Sequence, residues 1–253
     1  MKVAIVIPVY KNKLSKTEEF SLNQCVKILG DYDIILACPS GLNPIYQRSG
    51  VKIEEFDPDY FQDIQGYNKL MLESHFYERF LKYDYILLHQ LDAFIFRNEL
   101  ISWCDKGYDY IGAPWIATNS IISKILQPFN SKSIKRRKPI FFKVGNGGLS
   151  LRKTKTFFKI SEKLKNDIKI QLTEKKHEIY AIEDVFWSLK VPTLFSDFSI
   201  PNYKEALKFA MDRKPALSLK MNNNELPFGC HGFDKPKVTD FWKPIIEREY
   251  QKK

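Results

Sequence analysis

Val3 to Val9 is an apolar, mostly β-branched run interrupted at Pro8, and it predicts a buried parallel strand running into a loop at Tyr10. Asp33 to Cys38 and Val51 to Phe56 predict two further strands, separated by the Pro/Gly/Asn segment from Pro39 to Pro44. Between Asn68 and Tyr83, Leu72, His75, Phe76 and Phe80 recur at helical spacing with Leu81 on the flank, while Glu73 and Glu78 fall off that face. That pattern predicts one core-packed helix. Tyr85 to Phe96 follows, apolar on both faces except at His89, Gln90 and Asp92, and predicts a central strand. Tyr108 to Pro114 predicts another strand, and Phe141 to Arg152 reads as strand, glycine turn, strand. Thr154 to Ile168 predicts an amphipathic helix, a helix near Ile182 turns Val185, Phe186 and Leu189 inward, and Lys204 to Met211 forms a short one. Glu247 to Lys253 is expected to be a frayed polar tail. Strands alternating with helices give an α/β fold with a mostly parallel sheet, in which ligands bind beyond the carboxyl ends of the strands.

Composition fits one compact domain: 253 residues, 44% apolar and 14% aromatic, are enough to fill a substantial core. The formal charge of +10 points to anionic partners. Most of that excess is scattered lysine, and no nucleic-acid-binding motif accompanies it, so no nucleic acid is expected. The densest cluster runs from Lys132 to Lys138, with Phe129 before it and Phe141 and Phe142 after it. Such a basic loop with aromatic flanks suits peripheral contact with an anionic membrane. Cys25, Cys38, Cys104 and Cys230 have neither zinc nor redox spacing, and the reading is a reducing, cytoplasmic protein. The N-terminal apolar run is too short for a signal peptide, and no run reaches the roughly 18 apolar residues that a spanning helix needs.

Four short stretches carry candidate chemistry. Asp92 ends the central strand, where it either caps a turn or supplies an oxygen ligand to Mg²⁺ or Mn²⁺. Gly145-Asn146-Gly147-Gly148 is either a hairpin turn or a close-approach surface for a ligand; three glycines in four positions exceed what a two-residue turn requires. Glu183-Asp184 opens a helix, where acidic residues complement the helix dipole, or it supplies a general base for an acceptor hydroxyl. His231, between Gly229 and Gly232 in an irregular late segment, is placed to fold back over the strand ends and give a nitrogen to a metal held by Asp92. His75 and His89 are assigned to structure and His177 to the solvated surface.

In this order and over nearly the whole chain, these motifs resemble the GT-A glycosyltransferases, specifically an uncharacterised branch with Gln-x-Asp-Ala, Gly-Asn-Gly-Gly and Glu-Asp elements. The resemblance implies a GT-A fold, Rossmann-like, with residues 1–115 as nucleotide-binding half and 116–246 as acceptor-binding and catalytic half. It implies a metal-dependent transfer from a nucleotide-diphosphate sugar, by default a uridine diphosphate sugar, to a hydroxyl of a surface glycan or lipid-linked acceptor, with inversion. Asp92 matches the last position of the family's Asp-x-Asp element and His231 its late metal histidine. Gln90 replaces the first Asp and is left to contact the ribose. Pro8, Val9, Tyr10 and Lys11 then border the base, and Asn68 and Lys69 join the donor site. Gly147 and Gly148 line the donor sugar or acceptor, Trp115 offers a stacking platform, and Lys69 or Arg152 assists the leaving diphosphate. Of the acidic pair, Asp184 is the expected base and Glu183 its companion.

Two other classes compete. A sugar nucleotidyltransferase normally carries a glycine-rich phosphate loop after its first strand, and Val9-Tyr10-Lys11-Asn12-Lys13 has no glycine. A degenerate transferase that only binds glycans or nucleotides is the reading that Gln90 keeps open.

Overall fold

The computed structural model describes residues 1–44, 46, 49–117, 138–174 and 178–251. Six strands form the main sheet in the order β3-β2-β1-β4-β7-β6: β1 (Val3–Pro8), β2 (Asp33–Pro39), β3 (Val51–Phe56), β4 (Tyr85–His89), β6 (Tyr110–Pro114) and β7 (Val144–Lys153). The first four run parallel, and β7 enters antiparallel between β4 and β6. A small second sheet has the order β5-β9-β8, from β5 (Ala93–Ile95), β8 (Ala210–Met211) and β9 (Gly229–His231).

Alternation along the strands divides the core, because successive side chains point to opposite faces. Ile5, Ile7, Leu36 and Leu87 face Leu22, Cys25 and Leu29 of the helix Lys16–Leu29. Ala4, Val6, Ile35, Ile86 and Leu88 face Phe76, Tyr77, Phe80, Phe157 and Trp187 on the other side. Each such large apolar side chain contributes about 1.5–3 kcal/mol on full burial. A third cluster, with Phe94, Leu207, Cys230 and Trp242, fills the space beneath the small sheet. All four cysteines are buried free thiols.

Several expectations from the sequence are corrected. The central strand ends at His89; Gln90-Leu91-Asp92 turns the chain out of the main sheet, and Ala93–Ile95 joins the small one. The helix between Asn68 and Tyr83 starts earlier and breaks in two, Ile64–Leu72 and Ser74–Glu78, because Glu73 takes an extended backbone. That break leaves His75 partly exposed, its Nδ1 3.1 Å from a Glu73 carboxylate oxygen, rather than in the core. Thr154 to Ile168 likewise divides, into Thr154–Lys163 and Lys165–Glu174. Gly145-Asn146-Gly147-Gly148 is not a hairpin turn but the interior of one ten-residue strand. The C-terminal tail is helical over Thr239–Gln251, held by buried Trp242 and Ile246 and by Tyr250 against the Phe20 ring, with centroids 4.7 Å apart. His177 and the basic run, apart from Lys138, lie outside the described residues. Among the described residues no helix is long and apolar enough to cross a membrane.

Candidate functional site

A cleft of about 660 Å³ opens beyond the carboxyl ends of β1 and β4, where an open α/β sheet binds ligands. Pro8, Val9, Tyr10 and Lys11 form one wall, Gln90, Leu91 and Asp92 the floor, and Tyr60, Ile64 and Tyr67 the opposite wall. The β1 loop is short because Ser15 caps the helix Lys16–Leu29 through a capping box with Glu18. Lys11 Nζ lies 2.8 Å from the same glutamate. Tyr10 is 59% exposed at the cleft mouth, with Lys11 Nζ 5.2 Å from its ring centroid.

The floor is built where the two sheets meet. Two three-residue strands pair antiparallel with Ala93 opposite His231, and the amides of Gly232 and Phe233 donate to the Asp92 carbonyl at 2.8 and 3.2 Å. Asp92 Oδ1 consequently lies 3.0 Å from His231 Nε2, and Gln90 Oε1 lies 3.1 Å from the same nitrogen. Asp92 Oδ2 is 3.1 Å from Lys235 Nζ, and His231 Nδ1 is 3.4 Å from Asp212 Oδ1. Burial disfavours the Asp92 carboxylate, but His231 and Lys235 outweigh that and hold it well below the usual range. Burial also disfavours the imidazolium, yet Asp212 and Asp92 raise His231 to about 9. His89, fully buried in β4, is pushed down to about 4 by desolvation and stays neutral.

These atoms suit a divalent cation. Asp92 Oδ1 is buried with the His231 ring nitrogen at 3.0 Å, and the Gln90 amide oxygen converges on the same nitrogen. Among the described residues no group of three His, Cys, Asp or Glu side chains is arranged to hold a metal. A site with two strong protein ligands leaves the remaining positions to phosphate and water, which is how Mg²⁺ is usually held.

β7 joins this floor to the acidic pair. Its pairing with β6 jumps from Ser150 opposite Gly112 to Asn146 opposite Ala113, so Gly147, Gly148 and Leu149 are extra on β7. A Cβ on Gly148 would collide with the His231 imidazole, and one on Gly147 with the Glu183 carboxylate. At Gly145, with φ at 141°, a Cβ would meet the Ser188 hydroxyl. The surplus of glycine is thus required by the protein's own side chains, which press against the strand.

Glu183 and Asp184 begin the short helix Glu183–Val185, which runs into a π-helical stretch, Phe186–Lys190. Glu183 is 3% exposed and receives Arg152 Nη2 on both carboxylate oxygens at 3.1 Å. Burial pushes the Glu183 carboxyl up and the Arg152 guanidinium pulls it back; the ion pair is the form in which both groups are satisfied. Among the described residues, Asp184 has no such cation. Burial, and next the charge of Glu183, raises its carboxyl to about 7.

Of the residues marked in the sequence, Pro8, Val9, Tyr10, Lys11, Gln90 and Asp92 share the cleft, with His231 against its floor. Asn68 lies behind it: its Nδ2 donates to Ile64 O and its Oδ1 accepts from the Glu183 amide, at 2.7 and 2.9 Å. Lys69 points to Glu73, 3.8 Å away, and over the Tyr60 ring. Trp115 is 8% exposed and exchanges backbone hydrogen bonds with Phe142 and Lys143. Arg152, expected near a diphosphate, is instead fully buried. Sequence reasoning misses Asp212, Asp234 and Lys235, which sit in short charged loop runs, Asp212-Arg213-Lys214 and Asp234-Lys235, with nothing local to single them out. Lys235 follows His231 at a distance of four residues, which is the one available signal.

A family model described as "Protein of unknown function (DUF5672)" matches residues 50–231. No curated protein matches the chain. Among solved structures, mouse xyloside xylosyltransferase 1 in its apo form is similar at 9% identity and TM-score 0.56, over 94% of this chain and 99% of that one. LgtC, solved as an active-site mutant, is similar at 13% identity and TM-score 0.53, over 90% of this chain and 86% of that one. The glycosyltransferase GlyE of Streptococcus pneumoniae TIGR4 is similar at 16% identity and TM-score 0.51, over 93% of this chain and 55% of that one. At these identities the likeness is one of fold: a mixed α/β arrangement around a mostly parallel sheet, as in GT-A glycosyltransferases.

Proposed function

This chain belongs to the DUF5672 family, and from its site we propose that it is a metal-dependent glycosyltransferase using a nucleotide-diphosphate sugar, with a uridine diphosphate sugar as the first donor to test. The observation that carries the reading is the convergence of Asp92, Gln90 and His231 on the floor of the cleft, with Asp184 across β7. The shared fold with three glycosyltransferases supports it, and LgtC has also been solved with donor and acceptor sugar analogs.

Asp92 and His231 would hold Mn²⁺ or Mg²⁺, with Gln90 beside them; the cation, when bound, neutralises charge growing on the leaving diphosphate. Tyr10 covers the base, and the backbone from Pro8 to Lys11 borders it. Residues 1–115 then serve the donor, and residues 116–246 the acceptor and the chemistry. Asp184 takes the proton from the acceptor hydroxyl, since it is the carboxyl of the pair left without a cation, and a carboxyl raised to about 7 is well matched to a base working near neutrality. Attack from the side of that base inverts the anomeric centre. A glycan or lipid-linked hydroxyl is the proposed acceptor.

A thermal-shift panel of nucleoside diphosphates and their sugars, with and without Mn²⁺, tests the donor site. A ligand at 100 times its dissociation constant adds about 2.7 kcal/mol. For a chain of this length that is a shift of several degrees. Stabilisation by one nucleotide that requires Mn²⁺, and is lost in Asp92→Ala, is the expected result. A protein that responds to no nucleotide in the panel refutes the donor site.

A further inference from the structure

Arg152 is the largest charged side chain fully enclosed among the described residues, and every nitrogen of its guanidinium is used. Nε donates to Ser150 Oγ at 3.1 Å, Nη1 to Tyr77 Oη at 2.9 Å, and Nη2 to both Glu183 oxygens at 3.1 Å. The Tyr110 and Phe157 ring centroids each lie 5.5 Å from its central carbon. A buried ion pair of this kind is a poor source of stability, because desolvating both charges offsets their attraction and an apolar pair of similar volume does as well. What the arrangement does supply is fixed geometry. Glu183 is held by its side chain on Arg152 and by its main-chain amide on Asn68. One residue further, the Asp184 carbonyl accepts the Ser188 hydroxyl at 2.6 Å, and the π-helical stretch places that serine in the space left by Gly145.

We infer that Arg152 is a positioning residue: by clamping Glu183 it sets the backbone from which the Asp184 carboxylate reaches the acceptor, and it touches neither substrate nor cation itself. Glu183 is the link in that clamp, since both its oxygens are occupied and it faces no solvent. The inference rests on the glycosyltransferase reading. It assigns to the pair an unequal division of labour that residue type alone does not reveal.

The test uses the full chain, Mn²⁺, and release of uridine diphosphate from UDP-glucose, UDP-galactose and UDP-N-acetylglucosamine. Arg152→Met/Glu183→Leu removes both charges together, which keeps a filled core, and Arg152→Lys keeps the cation while losing the fork. In the double variant, melting within a few degrees of the parent, an unchanged KM for the donor and a kcat at least 100-fold lower are expected. Arg152→Lys, which keeps the charge and loses the fork, is expected to retain between a tenth and a third of parental kcat with KM unchanged. A folded double variant with kcat within threefold of the parent overturns the positioning role and leaves the transferase reading intact. If the double variant does not fold, Arg152→Lys decides alone: a fall in kcat with KM unchanged supports the role, and parental kcat overturns it. A parent that releases uridine diphosphate from none of the three sugars overturns the transferase reading, and this inference with it.

Discussion

Asp184 differs from Glu183 by one position in sequence and by a cation in space. Replacing it by Asn keeps the volume and removes the base, so kcat should fall by about 10²–10⁴-fold with little change in donor KM. The pH dependence follows from the same carboxyl. A base works when ionised, so activity of the parent should rise as pH passes about 7, well above the ordinary aspartate range, and a rate profile with its rising limb near pH 4 would contradict the assignment. Stability runs the other way. The folded-state value is raised above the unfolded one, so the protonated carboxyl's contribution is complete below about 4, is lost as pH rises through about 7, and should be absent from the pH profile of Asp184→Asn melting temperatures. At His231 the partner is Asp212, which faces Nδ1. Orienting carboxylates of this sort are worth about 10–100-fold in metal affinity, so Asp212→Asn should weaken the Mn²⁺-dependent thermal shift by that factor in titration without unfolding the chain.

β7 is the element on which the site depends. It is a strand by pairing on both sides, yet over Gly147 and Gly148 it carries no side chains, and Glu183 and His231 occupy the room so left. Gly148→Ala should therefore act as a specific lesion: the added methyl meets the imidazole, and the Mn²⁺-dependent nucleotide shift should disappear while the melting temperature of the unliganded chain stays within a few degrees of the parent. A large fall in the unliganded melting temperature would show instead that Gly148 serves the strand rather than the histidine. Local pattern reads three glycines in four positions as a hairpin or as a sugar-facing surface, because a single sequence gives the local freedom of glycine and not what comes to fill it.

At the scale of the molecule, the small sheet and the helix Thr239–Gln251 support the floor of the cleft from behind. Trp242 is fully buried there among Phe94, Leu207 and Cys230, the last being the neighbour of His231. Trp242→Ala should cost about 3–5 kcal/mol, measured by denaturant unfolding, and should weaken Mn²⁺ binding as well because β9 loses its backing. The three-residue strands of that sheet are too short to announce themselves. Their pairing joins Gln90 to a histidine 141 residues away, a contact decided by the whole chain.

The α/β class and the buried parallel strands were legible in the chain because they rest on local pattern, period-two burial and strand ends, and the same pattern marks Asp92, His231 and the acidic pair as candidates. It misjudged where Tyr85 to Phe96 and Asn68 to Tyr83 break, since Asp92 and Glu73 follow contacts made elsewhere in the fold. Packing alone sets that Arg152 belongs to Glu183, that Asp184 has no cation beside it among the described residues, and that Asp212 and Lys235 flank His231 and Asp92. Those are pairings between distant segments brought within hydrogen-bond reach by close packing, and a charge's role is set by which partner reaches it in a desolvated space, not by its place in the chain.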